Sequence, residues 1–296
     1  MKTAGCHVNG EGTTLLHEGA VPYITFPLLT QTGAVRHGFS TRQGGVSSGI
    51  YASMNLDFRC REPQENVREN YRRITAALDL NPDDLVLSAQ THTTNIRRMT
   101  SADRGKGFAR ERDYTDVDGM ITDDPDVVLV GLFADCVPVL FTDPVRHAIA
   151  LSHAGWRGTA GRIAEKTVWA MTEAFGTCPT DLYCAIGPSI CRNCYEVGSD
   201  VADALRAAFP ARGRAAAGTD ISFSGRTAAD IITSKGGGKY LADLHLANAL
   251  ALRAAGVPET QIAVTDLCTA CRSDLLWSHR ATHGQRGEMA AFLQLR

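Results

Sequence analysis

Nowhere does this 296-residue chain carry an apolar run able to cross a bilayer. Its longest strongly apolar stretch is Val127 to Phe133, against the roughly 20 residues a membrane helix needs. The opening residues, MKTAGCHVNGEG, hold no apolar signal core, so the expected compartment is the cytoplasm. An excess of charge of one sign is lacking too: Lys plus Arg total 30 and Asp plus Glu 32, a net charge of −2. A dedicated nucleic-acid binder needs a basic face, so that class is set aside. No internal repeat or long linker is visible, and 44% hydrophobic against 21% charged residues rules out wholesale disorder or a fibrous repeat. Cysteine, in contrast, is plentiful: nine residues, an odd number. Without an export signal these are read as thiols or metal ligands rather than as a disulfide framework.

Residues 1–20 are polar and glycine-rich and read as a loose arm, leaving 21–296 as one domain. Val21–Leu29 and Val35–Ser40 read as strands, the first kept to a sheet edge by Pro22 and Pro27. Gln64–Leu80 has helical spacing and is stopped by Asn81-Pro82. Short β-branched runs follow at Leu85–Ser88, Gly119–Thr122, Val127–Phe133, Val137–Phe141 and Ala148–Ser152, the pattern of strands buried on both faces. Helices are expected at Thr159–Phe175 and Tyr240–Ala255, and strands at Asp181–Ile186 and Met289–Leu295. Pro210–Gly225 and Lys235–Lys239 read as flexible. Six basic residues between Arg97 and Arg112 read as a solvated loop, with a phosphate-steering rim as the alternative. The fold class is α/β: a single large mixed α+β domain with buried strands flanked by helices.

Chemistry concentrates at three strand ends. Ala148–Ala160 delivers His153 at the end of a buried strand, followed by Gly155, Trp156, Arg157 and Gly158. A glycine turn into a helix start near Thr159 suits an anion, and Arg157 adds a planar cation. In Val127–Leu140, Ala134-Asp135-Cys136 interrupts two apolar runs. An aspartate there needs partners, as a hydrogen-bond hub or as a working acid. Leu87–Asn95 ends a strand in Gln90 and His92. Two imidazoles and one thiolate, His92, Cys136 and His153, match a zinc site that keeps a fourth position open; the divalent-metal affinity order also admits copper.

HGFSTRQGG (37–45), SAQTH (88–92), DVDGMIT (116–122), FADCVPVLF (133–141), HAGWRGT (153–159), AIGPSI…CYEVG (185–198) and DLCTAC…SHR (266–280) occur in this order. Carrying them, the chain resembles the family first called multicopper polyphenol oxidases, or laccase-domain proteins, and also described as purine nucleoside phosphorylases. The resemblance implies one α/β domain with zinc on the positions matching His92, Cys136 and His153. It implies phosphorolysis of adenosine, inosine, guanosine and methylthioadenosine, with an adenosine deaminase activity beside it. One relative is described as a peptidoglycan-editing factor. Near the last strand many relatives carry a glycine–arginine pair where this chain reads Arg286-Gly287-Glu288-Met289, which puts an arginine contact in question and offers Arg286 instead.

Phosphorolysis needs a cationic cradle for a dianion, for which Arg42 and Arg157 come first and Arg280 third. Ser40, Asn55 and Gln90 are lesser substrate contacts, and Asp135 handles a proton or orients a ligand. A multicopper oxidase stores four electrons on His-x-His-rich sites, whereas this chain has nine histidines and no such pair. Two other classes stay open: a thiol hydrolase on Cys136/His153 with Asp135 orienting the base, and a non-catalytic metal or partner-binding module. Cys191-x2-Cys194 and Cys268-x2-Cys271 suggest a zinc ribbon, but their separation far exceeds the roughly 15–20 residues of that pattern.

Overall fold

Successive residues of a strand point to opposite faces, and in this chain both faces of the central strands meet apolar partners. The computed structural model describes residues 13–210 and 221–296. In chain order its strands are β1 (Leu15–His17), β2 (Tyr23–Thr25), β3 (Val35–Ser40), β4 (Leu85–Leu87) and β5 (Ile96–Arg98). Next come β6 (Gly119–Thr122), β7 (Val128–Phe133), β8 (Val137–Asp143), β9 (Ala148–Ala154) and β10 (Tyr183–Ile186). The last are β11 (Glu196–Val197), β12 (Ile232–Gly236), β13 (Lys239–Ala242), β14 (Ile262–Val264) and β15 (Met289–Leu295). The helices are α1 (Pro27–Thr30), α2 (Gln64–Ala77), α3 (Trp156–Ala160), α4 (Ile163–Phe175), α5 (Ser199–Ala208), α6 (Leu244–Ala254) and α7 (His279–Thr282).

Two six-stranded sheets, ordered β1-β2-β3-β15-β7-β4 and β14-β10-β8-β9-β6-β5, accompany a small sheet β11-β13-β12. Val67, Tyr71 and Ile74 of α2 cover Val128, Val130 and Phe292 on the outer face of the first sheet. Leu129, Met289 and Leu293, on its inner face, meet Leu140, Ile149 and Leu151 of the second. Val139, Phe141 and Ala150 then face Ile163, Val168 and Met171 of α4 and Leu250 of α6. The result is a four-layer helix–sheet–sheet–helix domain, which is why the strand sequences read as continuous apolar runs rather than alternating ones.

Several local expectations are corrected. Leu15–His17 is not part of a loose arm but pairs with β2, and β2 lies between β1 and β3 rather than at an edge; residues 1–12 fall outside the described ones. Pro27 starts α1, where its missing N–H costs nothing. The helix expected over Thr159–Phe175 is two, divided at Arg162, whose φ is 58°. Tyr240–Ala242 belongs to β13, and Asp243 then caps α6 by accepting the Leu246 N–H. Lys235–Lys239 is the end of β12, the Gly237-Gly238 turn and the start of β13, and most of the Pro210–Gly225 expectation lies outside the described residues. The basic stretch 97–112 is laced with ion pairs, among them Arg104–Asp84, Lys106–Asp103 and Lys106–Asp113. Among the described residues no helix is long and apolar enough to cross a membrane.

Two connections carry the chain from the first sheet to the second: β4 to β5, and β7 to β8. The first holds His92, and the second holds Asp135 and Cys136.

Candidate metal centre

His153 lies on β9 opposite Pro138 of β8, so the antiparallel pairing sets it beside the turn that delivers Cys136. Both sheet-to-sheet connections bend sharply, with His92 at φ 67° and Asp135 at φ 91°. His and Asp are among the non-glycine residues enriched at positive φ. The bends bring the donors together: ligand atoms of His92, Cys136 and His153 all lie within 4.8 Å of one another. Cys136 Sγ is 3.9 Å from His92 Nε2, and the two imidazoles meet edge to face with centroids 4.9 Å apart. Gly155 keeps the space open. A Cβ there would stand 2.8 Å from His92 Cδ2 and 3.0 Å from Cys136 Sγ.

Asp118, immediately before β6, organises the ligands and was not among the residues expected to do so. One of its carboxylate oxygens accepts from His153 Nδ1 at 2.8 Å and from the His92 main-chain N–H at 3.1 Å. The other accepts the N–H groups of Thr91 and Thr93 at 3.0 and 2.9 Å. Burial alone would raise its carboxyl, but the His153 and main-chain hydrogen bonds outweigh this and hold it at about 2. With Nδ1 turned to Asp118, His153 is left to present Nε2 to the cluster. Burial likewise works to raise the Cys136 thiol, and the His153 charge with hydrogen bonds to both imidazoles overcomes it, bringing the thiol down to about 7. A low-pKa thiol and two oriented imidazoles, with ligand atoms within 4.8 Å of one another, fit a divalent metal. Three protein ligands with His92 exposed leave one side open, the arrangement of catalytic rather than structural sites.

The other expected residues divide. The Asp135 carboxylate does not reach His153; it accepts Thr269 Oγ1 at 2.6 Å and the Arg280 N–H at 2.6 Å. Asp118, not Asp135, therefore orients the imidazole. Tyr195, a residue the sequence reading did not single out, has its phenol raised first by burial and then by Cys136, while Arg280 and Arg157 oppose that shift. Arg280 reaches over its ring at 5.3 Å, and exposed Arg157 lies over Trp156 at 4.3 Å. Arg157 lies within α3 itself, which has only five residues, so the expected anion site at a helix start lacks a long dipole.

Arg42 is anchored on Trp277 and two main-chain carbonyls. It donates to the carbonyls of Ser273 and Ala52 at 2.7 and 3.2 Å and lies 3.7 Å over the Trp277 ring. Burial lowers its pKa, and the nearby charge of Asp274 opposes that shift. Gln90 bonds both the N–H and the C=O of Leu132, at 2.8 and 2.7 Å, pinning the His92 connection to β7. Ser40 and Asn55, expected at substrate, are fully buried, and both accept main-chain N–H groups next to β15, from Ala290 at 2.9 Å and Glu288 at 3.0 Å. Glu288 pairs with Arg286 and lies 3.8 Å from Arg59, so the departure from the glycine–arginine pattern is neutralised internally.

Fold and site together define a four-layer α/β protein with an open two-imidazole, one-thiolate centre. The model of the multi-copper polyphenol oxidoreductase laccase family matches residues 36–296, and the chain belongs to that family. A relative from Geobacillus stearothermophilus named "Purine nucleoside phosphorylase YlmD" is 38% identical over 264 residues, covering 88% of this chain and 90% of that one. Another, "Adenosine deaminase RL5" from an unknown prokaryotic organism, is 32% identical over 244 residues, covering 82% and 87%. The crystal structure of the Geobacillus YlmD superposes with a TM-score of 0.83 at 35% identity, covering 95% of this chain and 98% of that one.

Proposed function

We propose that this protein is a zinc-dependent purine nucleoside phosphorylase acting on adenosine, inosine, guanosine and methylthioadenosine, with adenosine deamination as a second activity at the same site. The observation that carries the reading is the convergence of His92, Cys136 and His153, whose ligand atoms lie within 4.8 Å of one another. The names of the relatives supply the substrate class.

In phosphorolysis a phosphate oxygen bonds to ribose C1′ as the bond from C1′ to the purine nitrogen breaks. The base leaves carrying a proton, and ribose 1-phosphate remains. His92, Cys136 and His153 would hold zinc, which would supply Lewis-acid chemistry at an open position. The chain's own groups do the rest. Asp118 fixes His153 and the backbone of the His92 connection. Arg157 and Arg280 offer planar cations to phosphate, with Arg42 a third, and Gln90 steadies the connection that borders the open side. Asp135 takes a positioning role, holding the Cys136 turn to Thr269 and Arg280.

The test is mass-spectrometric product analysis of adenosine incubated with the metal-replete protein, with and without phosphate. Adenine plus ribose 1-phosphate is expected only with phosphate, inosine in both, and neither product with His153→Ala. No purine turnover by the wild type rejects the proposal.

A second reading is favoured by one geometric fact: Asp118, His153 and Cys136 form the acid–imidazole–thiol series of a cysteine hydrolase, a class that includes action on peptidoglycan precursors. Zinc separates the two. Protection of Cys136 from iodoacetamide by zinc supports ligation; alkylation at an equal rate with and without zinc supports the hydrolase. A copper-dependent polyphenol oxidase is less well served, since a single centre of three ligands stores too few electrons to reduce dioxygen to water.

A further inference from the structure

Strands β10 and β14 run parallel as neighbours, with Cys184 opposite Ile262 and Ile186 opposite Val264. Parallel neighbours leave their sheet at the same edge, so the loops that follow emerge side by side. The pairing continues into those loops as a bridge between Ser189 and Cys268. Each loop then carries a Cys-x2-Cys pair, Cys191 with Cys194 and Cys268 with Cys271. The sequence separation that argued against a shared site is closed by strand pairing alone.

The four sulfurs lie within 4.8 Å of one another, and Cys194 Sγ is 3.3 Å from Cys271 Sγ. A disulfide needs about 2.05 Å. Four thiolates around zinc at about 2.3 Å stand roughly 3.8 Å apart, so the cluster is near tetrahedral S4 dimensions. Main-chain N–H groups already point at sulfur: Cys191 and Cys271 donate to Cys268 Sγ at 3.2 and 3.5 Å. Donation of this kind stabilises a thiolate over a thiol.

We propose that Cys191, Cys194, Cys268 and Cys271 bind a second, structural zinc ion, closed to substrate because all four tetrahedral positions belong to the chain. Its place in the fold gives it a task. Ile190, adjoining Cys191, donates its N–H to the Asp135 carbonyl at 3.0 Å, and Thr269, adjoining Cys268, donates its hydroxyl to the Asp135 carboxylate at 2.6 Å. The main-chain carbonyl of Glu196, two residues after Cys194, accepts from the Arg280 guanidinium at 2.9 Å. The thiolate cluster ties together the two loops that hold the turn immediately before Cys136. It is a positioning device for the first centre, and it stands whether or not that centre performs phosphorolysis.

The experiment is metal counting by plasma mass spectrometry on protein purified with a phosphine reductant and excess zinc, then dialysed. It is paired with cobalt(II) substitution and absorption spectroscopy. Wild type is expected to hold two equivalents, His92→Ala/His153→Ala one, and Cys194→Ser/Cys271→Ser one. Cobalt in the histidine variant is expected to give the intense thiolate charge-transfer bands of an all-sulfur tetrahedral site. No metal in the histidine variant, whatever the wild-type count, overturns the proposal. Should the cysteine variant fail to fold, the histidine variant still decides by the same count. A Cys194–Cys271 disulfide in the reduced protein, with a single equivalent of metal, also overturns it.

Discussion

A buried carboxylate is costly unless every lone pair finds a donor, and Asp118 meets that condition by collecting the backbone of the His92 connection together with the His153 ring. Replacing it with Asn leaves a group that cannot hold the imidazolium-side proton in the same way. Metal affinity is expected to fall about 10- to 100-fold, the range for lost support of a ligand, as read by competition with a chromophoric chelator. His37 offers a pH test away from the centre. Buried on β3, its Nε2 accepts the Phe26 N–H at 2.9 Å. Burial first, then the charges of His17 and Arg296, push it down to about 4 from 6.5. The unfolded chain therefore binds the proton more readily between those values. Stability is full above pH 6.5 and falls as the pH drops toward 4, by about 3 kcal/mol from this group. Urea unfolding midpoints of His37→Gln across that window should show a shallower slope than wild type.

Among elements, the junction of β9 and α3 is the most sensitive. Gly155 has an ordinary extended backbone, φ −62° and ψ 172°, so alanine meets no conformational objection there. Space is the objection, since the added methyl meets the His92 ring and the Cys136 sulfur. Gly155→Ala is expected to lower metal affinity by about 10-fold or more while far-ultraviolet circular dichroism stays unchanged. Element reading from sequence succeeded where apolar runs were buried: Gly119–Thr122 and Met289–Leu295 are strands over the expected residues. It failed at Tyr240–Ala242, whose apolar character suits helix and strand equally until β11 and β12 are there to pair with. The break at Arg162 was equally hidden, because a positive φ in an arginine has no compositional signature.

For the whole molecule, layering is what makes the site possible. Phe292 of β15 is fully buried between the first sheet and α2 and meets Tyr71 with centroids 6.3 Å apart. Phe292→Ala is expected to cost about 3–5 kcal/mol in chemical denaturation. The second metal count should be unaffected by it, since Phe292 belongs to the layer under α2 rather than to the β10–β14 edge. Stacking two sheets requires the chain to cross between them, and those crossings are where tight bends, positive φ values and polar side chains collect. His92 and Cys136 sit on two of these crossings and His153 opposite the second.

By itself the sequence determined the α/β class, the buried strands, the family likeness and the choice of His92, Cys136 and His153 as candidate ligands, because burial and donor chemistry are properties of residue types and their local order. It could not assign Asp118 to His153, separate buried Ser40 and Asn55 from surface contacts, or join two cysteine pairs far apart in the chain. Those depend on which strands become neighbours. Strand pairing is a long-range choice, made only when the sheets close over a common core.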